Sequence, residues 1–197
     1  MIDTKSKLNI LVVEDDPLAV NLLKIALKSY AKLTICSSEK DLEKLDINFE
    51  NIDIALIDLD LDGKLHGFSI AKNLKERGIY TVIITGHSSK KYIKKGHEFS
   101  KVNDFITKPY DKQILIDIIE KYQKSRDTLS LSQEIKNKLN TKSPKMDHIV
   151  ESIKHVYASS LPVYLFGATG SRKQIIAETI HQLKFKALDN FYHLNCA

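Results

Sequence analysis

The sequence predicts an α/β fold: a doubly wound parallel sheet with helices on both faces, followed by a second, partial α/β segment. Three observations carry this expectation. Short apolar runs alternate with stretches of helical periodicity through residues 8–122, the rhythm of βα units that pack into a parallel sheet. Four of these runs end in polar or charged side chains, and in open α/β sheets that edge is where ligands bind. After residue 160 the order strand, glycine-rich loop, lysine, helix occurs once more.

The first run, residues 9–13 (NILVV), ends in Glu14, Asp15 and Asp16. Asp16 before Pro17 is a helix start, a capping acid with proline in the first turn. Leu18, Leu22, Ile25 and Ala26 then recur at helical spacing. Residues 32–36 form a short second strand, and Ser38 with Asp41 resembles a capping box for a second helix. The third run, residues 53–58 (DIALID), is apolar between two aspartates, the pattern of a strand buried on both faces. It delivers Asp58 to the strand's C-terminal end. The loop after it holds Asp60, Asp62, Gly63 and Gly67; a helix through Ile70, Ala71 and Leu74 then stops at Gly78. The fourth strand, residues 80–84, ends at Thr85. A polar helix with Lys90, Lys91, Lys94 and Lys95 follows, and the fifth strand, residues 104–107, ends at Lys108 and Pro109. Asp111 begins a last helix with Ile114, Leu115, Ile118, Ile119 and Tyr122 on its inner face. Side by side, the strand ends gather carboxylates, a hydroxyl and an ammonium into one shallow bowl. That grouping suits Mg²⁺ plus a phosphoryl group.

The bulk numbers bound the rest. At 197 residues the chain holds one domain and a partial second, and 43% hydrophobic content argues against disorder. The net charge of +5 is uneven: residues 1–124 carry 20 Lys/Arg against 19 Asp/Glu, residues 125–197 carry 10 against 6. The excess reads as lysine-rich solvated surface rather than a nucleic-acid patch. Cys36 and Cys196 have neither metal spacing nor a disulfide framework, which fits a reducing cytoplasm. No signal peptide opens the chain and no apolar run is long enough to span a membrane, so a cytoplasmic location without membrane attachment is expected.

Residues 10–17 (ILVVEDDP), 53–58 (DIALID), 81–87 (TVIITGH) and 104–111 (DFITKPYD), in this order, resemble the receiver domain of two-component response regulators, over about residues 7–124. The resemblance implies a flavodoxin-like (βα)5 fold and a phosphorylation-dependent regulator served by a sensor histidine kinase. It makes Asp58 the phosphoacceptor, with Mg²⁺ held by Asp15, Asp58, the backbone carbonyl of Asp60 and, through water, Glu14. Thr85 becomes the switch hydroxyl, Lys108 the phosphate partner, Phe105 the rotating aromatic and Lys108–Pro109 a cis bond. It also implies a homodimer when phosphorylated. Two departures stand out: the loop from Asp58 to Gly67 is one residue longer than the family's spacing, and Phe105 occupies a place often taken by tyrosine.

Beyond Tyr122, residues 125–142 read as a helical linker. Residues 143–146 (SPKM) restart structure, Ile149, Ile153 and Val156 lie at helical spacing, and residues 161–166 form a strand. Then come Gly167, Gly170, Arg172, Lys173 and a helix through Ile175, Ile176, Ile180 and Leu183. This is phosphate-loop architecture, in which backbone N–H groups and a helix N-terminus cradle phosphates. Residues 143–197 resemble the start of the AAA+ domain of NtrC-type sigma-54 activators. Within this stretch there is no Walker B strand, sigma-contacting loop, arginine finger or DNA-binding helix-turn-helix. Arg172 also stands where that family has glycine. No ATPase activity is therefore expected, nor ATP as a cofactor; the chain is read as a phosphoacceptor, not an enzyme. Two alternatives stay open on the residues: a haloacid-dehalogenase-like phosphatase using Asp58 and Asp60, and an ATP-binding module using Lys173.

Overall fold

The computed structural model describes residues 7–44, 49–61, 66–86, 101–186, 190–192 and 194. Five strands, β1 (Leu8–Val13), β2 (Ala31–Cys36), β3 (Ile54–Asp58), β4 (Tyr80–Thr85) and β5 (Asp104–Thr107), pair in parallel in the order β2-β1-β3-β4-β5. Strand order reverses between β1 and β3, and the crevice at the C-terminal ends there is where this architecture takes ligands. The expected lysine-rich helix around Lys90–Lys95 lies outside the described residues.

Alternate side chains of each strand feed opposite faces, as the period of two requires. Leu8, Ile10, Val12, Ile54, Leu56, Val82 and Ile84 pack on α1 (Pro17–Leu27), through Leu23 and Leu27, and on α4 (Lys112–Lys138), through Leu115, Ile118 and Ile119. Leu11, Val13, Ala55, Ile57 and Ile83 pack on α3 (Gly67–Glu76), through Phe68, Ile70, Ala71 and Leu74. Both layers are continuous across the sheet, which is why β3 is buried along its whole length.

The local signals behave as their chemistry dictates. Asp16 Oδ1 accepts the Leu18 N–H at 2.9 Å and caps α1. Ser38 Oγ accepts the Asp41 N–H at 3.1 Å at the start of α2 (Glu39–Lys44). At the end of α3, Gly78 has φ 84°, its N–H reaching the Lys75 carbonyl while the Ile79 N–H reaches Leu74. That is a left-handed C-terminal cap, a conformation in which a side chain would be strained. One apolar stripe differs from expectation. The core face of α1 is Leu23 and Leu27, whereas Leu18, Leu22 and Ile25 are 73%, 67% and 74% exposed. The two stripes are neighbours around the helix, and contact with a flat sheet buries only one of them.

At the opposite edge of the sheet, Tyr80 Oη donates to Asp104 Oδ2 at 2.6 Å and Tyr122 Oη to Asp53 Oδ1 at 2.8 Å, with the two rings edge to face. One buried polar group lacks such a partner: Thr81 is fully buried, and among the described residues its Oγ1 has no hydrogen bond. A hydroxyl left unsatisfied in the interior costs about 1–3 kcal/mol. Thr81→Val keeps the shape and removes the polar atom, so we expect about 1 kcal/mol of added stability in urea unfolding. Destabilisation by that amount would mean the hydroxyl is satisfied in solution.

The chain divides into two compact units at Tyr122/Gln123, within α4. The second unit is helical. Ile135 of α4 and Leu139 just after it pack with Val150 and Ile153 of α5 (Asp147–Tyr157) and Leu183 of α6 (Lys173–Phe185). The strand expected over residues 161–166 is corrected: among the described residues this stretch belongs to no ladder. A strand exists as regular structure only where a neighbour accepts and donates its backbone hydrogen bonds.

Candidate functional site

Each side chain of the bowl is placed by a strand end. Glu14 and Asp15 follow β1, Asp58 closes β3, Thr85 closes β4, and Lys108 follows β5. The backbone pins these ends across the sheet: Glu14 N–H donates to Cys36 O (3.0 Å), Leu59 N–H to Ile84 O (2.9 Å) and Lys108 N–H to Thr85 O (2.7 Å). Positions distant in the chain are thereby held to the precision of a parallel ladder.

Lys108 Nζ donates to Asp58 Oδ2 at 3.0 Å and to Glu14 Oε2 at 2.9 Å. Glu14 and Asp58 are buried, whereas Asp15 is exposed. The three acids each offer a carboxylate oxygen, all within 4.8 Å of one another. Hard oxygen donors this close match Mg²⁺ better than they match softer metals. Burial raises the Glu14 pKa, the Asp58 charge raises it further, and the hydrogen bond from Lys108 only partly opposes them. Burial also works against the Lys108 ammonium, but its bonds to Glu14 and Asp58 prevail and the net shift is upward.

The linkage follows from these signs. A carboxyl whose folded pKa is raised favours the folded state as pH falls through its range and disfavours it when ionised; Lys108 contributes stability that is lost as pH rises through its own raised pKa. Glu14→Gln is therefore expected to stabilise the chain without Mg²⁺ at pH 7, because it removes a buried charge whose ionisation the folded state disfavours. Urea unfolding of variant and parent checks this: the difference should shrink on acidification, and a difference independent of pH would refute it.

The remaining expected residues fall around this centre. Thr85 is buried at the end of β4, and Phe105 on β5 is half-buried against the α3 layer. The Asp60 N–H lies 3.4 Å from Asp58 Oδ1, which brings the Asp60 backbone beside the Asp58 carboxylate. The Lys108–Pro109 bond is cis. Two contributors were not legible. Tyr110 is close enough for its pKa to be raised by burial and by the Glu14 and Asp58 charges against the opposing charge of Lys108. Gly67 approaches so closely that a Cβ there would lie 2.2 Å from the Asp58 carbonyl oxygen. No residue pattern signals either; both depend on how loops return to the strand end.

The second unit holds the other candidate. Arg172 precedes α6 in the left-handed region, φ 61° and ψ 25°. Lys173 Nζ turns back onto the loop, donating to the carbonyls of Gly167 and Ala168 at 2.9 Å each. Gly167 and Gly170 frame this loop at positive φ, Gly170 in the left-handed region at 81°.

Comparison with known proteins follows this division. Residues 139–197 match the family model of the sigma-54 interaction domain. The transcriptional regulatory protein GlrR of Escherichia coli is 29% identical over 197 residues, covering 95% of this chain and 42% of its own length. The response regulator protein PilR of Pseudomonas aeruginosa is 28% identical, covering 97% of this chain and 43% of its own. The chain thus spans less than half the length of these curated relatives. Among solved structures, a BeF3-activated DrrB receiver domain superposes with a TM-score of 0.54 at 20% identity, covering 60% of this chain and 99% of its own. NtrX from Brucella abortus in complex with ADP gives 0.59 at 19% identity, covering 90% and 41%. At such identities these structures speak for the fold alone. Residues 10–120, more than half of the chain, match the family model of the response regulator receiver domain, and the protein belongs to that family.

Proposed function

We propose that Asp58 accepts a phosphoryl group from a sensor histidine kinase, or from a small donor such as acetyl phosphate, and that its phosphorylation state regulates transcription. The observation that carries this reading is Asp58 at the strand end with two further acids within 4.8 Å and Lys108 at 3.0 Å. An Asp58 carboxylate oxygen attacks the phosphorus while the P–N bond to the kinase imidazole, or the P–O bond to acetate, breaks and the donor leaves with the electron pair. The product is an acyl phosphate on Asp58. Mg²⁺ would be held by Asp15, Asp58 and the Asp60 carbonyl, with Glu14 acting through water, and when bound it offsets charge on the transferring group. The Lys108 ammonium offsets the rest, and the Thr85 hydroxyl turns toward the new phosphoryl oxygens, leaving room for Phe105 to move. This is a local charge event biasing a two-state element, worth typically 1–3 kcal/mol of coupling. The readout we propose is a shift toward a homodimer.

The kinase docks on the exposed Leu18, Leu22 and Ile25 stripe. With Pro109 and Tyr110 it lines an apolar groove of about 460 Å³ that also reaches Lys108. An amphipathic helix fits such a groove. The test of the whole reading is intact mass after acetyl phosphate treatment: a gain of one phosphoryl group that requires Mg²⁺ and vanishes on chelation. No gain, or a gain indifferent to Mg²⁺, would sink it.

The chain itself acts as a phosphoacceptor and does not turn over ATP. Phosphate loops need backbone N–H groups to approach the phosphates, and glycine permits the angles this requires. Here the left-handed position belongs to Arg172, and Lys173 is engaged by the loop's own carbonyls. Arg172→Gly should relieve strain and stabilise the second unit by about 1 kcal/mol. Calorimetric titration of the parent with ATP–Mg²⁺ should show no binding tighter than roughly 10 μM, about −7 kcal/mol. Tighter binding that Lys173→Ala removes would show a working loop.

A further inference from the structure

At the N-terminal edge of the sheet, away from the acid bowl, polar side chains converge on the last receiver turn of α4. Asp53, just before β3, is fixed by β1: its N–H donates to the Asn9 carbonyl and its Oδ2 accepts the Asn9 N–H, each at 2.9 Å. Its Oδ1 takes the Tyr122 hydroxyl at 2.8 Å. Asp104, the first residue of β5, takes the Tyr80 hydroxyl at 2.6 Å and the Lys121 ammonium at 2.8 Å on both oxygens. The Tyr80 and Tyr122 rings meet edge to face, their centroids 5.5 Å apart, which joins the two carboxylates into one cluster. Hydrogen bonds to an ionised acceptor are the strong ones, and both acceptors here sit on strand starts. Immediately past this cluster the helix changes character. Of the eight residues 125–132 (SRDTLSLS), five are Ser, Thr or Asp, weak helix formers that compete for backbone hydrogen bonds. Two of them do so here: Thr128 Oγ1 donates to the Lys124 carbonyl at 2.8 Å and Ser132 Oγ to the Thr128 carbonyl at 2.9 Å. Such back-bonding weakens and bends a helix.

We infer that Asp53 and Asp104 form a latch that holds α4 closed as far as Tyr122, and that residues 125–132 are a hinge that opens while the latch stays shut. The division between the two compact units falls at Tyr122/Gln123, where the latch ends and the weak stretch begins. The phenol–carboxylate bonds carry the latch. The Lys121 side chain is 58% exposed, so its ion pair adds little. The device protects the receiver. Asp104 opens the strand that carries Phe105 and leads to Lys108, so a pull along α4 that reached this cluster would disturb the site. A helix that yields at residues 125–132 absorbs that motion before it arrives.

The latch and hinge do not depend on phosphorylation, and residue-resolved amide hydrogen exchange on the full, unphosphorylated chain tests them. In the parent, the N–H groups of residues 126–130 should exchange roughly a hundredfold faster than those of residues 118–122. Tyr122→Phe keeps the ring and removes only the hydroxyl. It should speed exchange at 118–122 roughly tenfold and leave 126–130 as in the parent, because opening the hinge does not break the latch. Thr128→Ala combined with Ser130→Ala should do the reverse, slowing 126–130 roughly fivefold with 118–122 unchanged. Equal protection on the two sides of Tyr122 in the parent would overturn the inference. So would a Tyr122→Phe chain whose 118–122 amides are unaffected, or either variant moving both segments together, which is the behaviour of a helix that opens as one body.

Discussion

Asp58→Ala is expected to abolish phosphoryl uptake completely while leaving the receiver fold intact. The side chain is the only part of the site that forms a bond to phosphorus in the proposed transfer. Its removal leaves Glu14 still paired with Lys108 at 2.9 Å, so no buried carboxylate is stranded. In the intact-mass assay the variant should show no added phosphoryl group under conditions that load the parent. Retained uptake would place the acceptor elsewhere. Asp15→Asn is the informative companion. It keeps the acceptor but removes the exposed acid of the cluster, so uptake should persist with a Mg²⁺ requirement raised by about tenfold or more, in line with the loss typical of a metal-site change. An unchanged requirement would take Asp15 out of the metal site.

Gly67→Ala is expected to be the most damaging single methyl group in the receiver. The added Cβ would sit 2.2 Å from the Asp58 carbonyl oxygen, 2.7 Å from Leu59 Cα and 3.0 Å from the Asp58 carbonyl carbon. All three obstacles are backbone, so no rotamer change relieves them, and Gly67 is itself tied to this segment by its N–H to Leu59 O at 3.2 Å. The strand end carrying Asp58 must move. Overpacking of this kind costs about 3 kcal/mol, a large part of the roughly 5–15 kcal/mol that holds a domain together. Displacing Asp58 from Lys108 and Glu14 by about 1 Å should also slow phosphoryl uptake by about a hundredfold. Gly86→Ala is the control, since a Cβ there meets nothing within 4 Å among the described residues, and its stability change should stay within about 0.5 kcal/mol. Equal behaviour of the two variants would show that the 58–67 loop relaxes freely.

The contrast between Asp58 and Gly67 marks where the chain could be read directly. Asp58 was legible because an apolar run of one strand's length, closed by a carboxylate, is what a buried strand looks like where it meets a polar edge. The same holds for Glu14, Asp15, Thr85 and Lys108, each of which closes an apolar run, and for the cap at Asp16, whose partner is two residues away. Local chemistry acts over local distances, and the period-two and period-3.6 patterns report it. Gly67 gave no such signal of its role, since the atoms it crowds belong to residues eight and nine positions earlier in the chain.

Elsewhere tertiary contact overruled the pattern. Helical spacing in α1 presents two apolar stripes, and nothing local says that Leu23 and Leu27 turn inward while Leu18, Leu22 and Ile25 face solvent. Residues 161–166 have strand composition, yet among the described residues they join no sheet, because a ladder is a property of two segments and not of one.

By itself, then, the sequence determined the alternation of elements, the parallel sheet and the identity of the acids, hydroxyl and ammonium at its edge, because these follow from side-chain type and spacing along one chain. Only the tertiary structure decided that Lys108 bridges Asp58 and Glu14, that Gly67 crowds the Asp58 backbone and that Lys173 turns onto its own loop. Those are matters of angstroms between residues far apart or folded back on themselves, and backbone geometry sets them after the elements have packed.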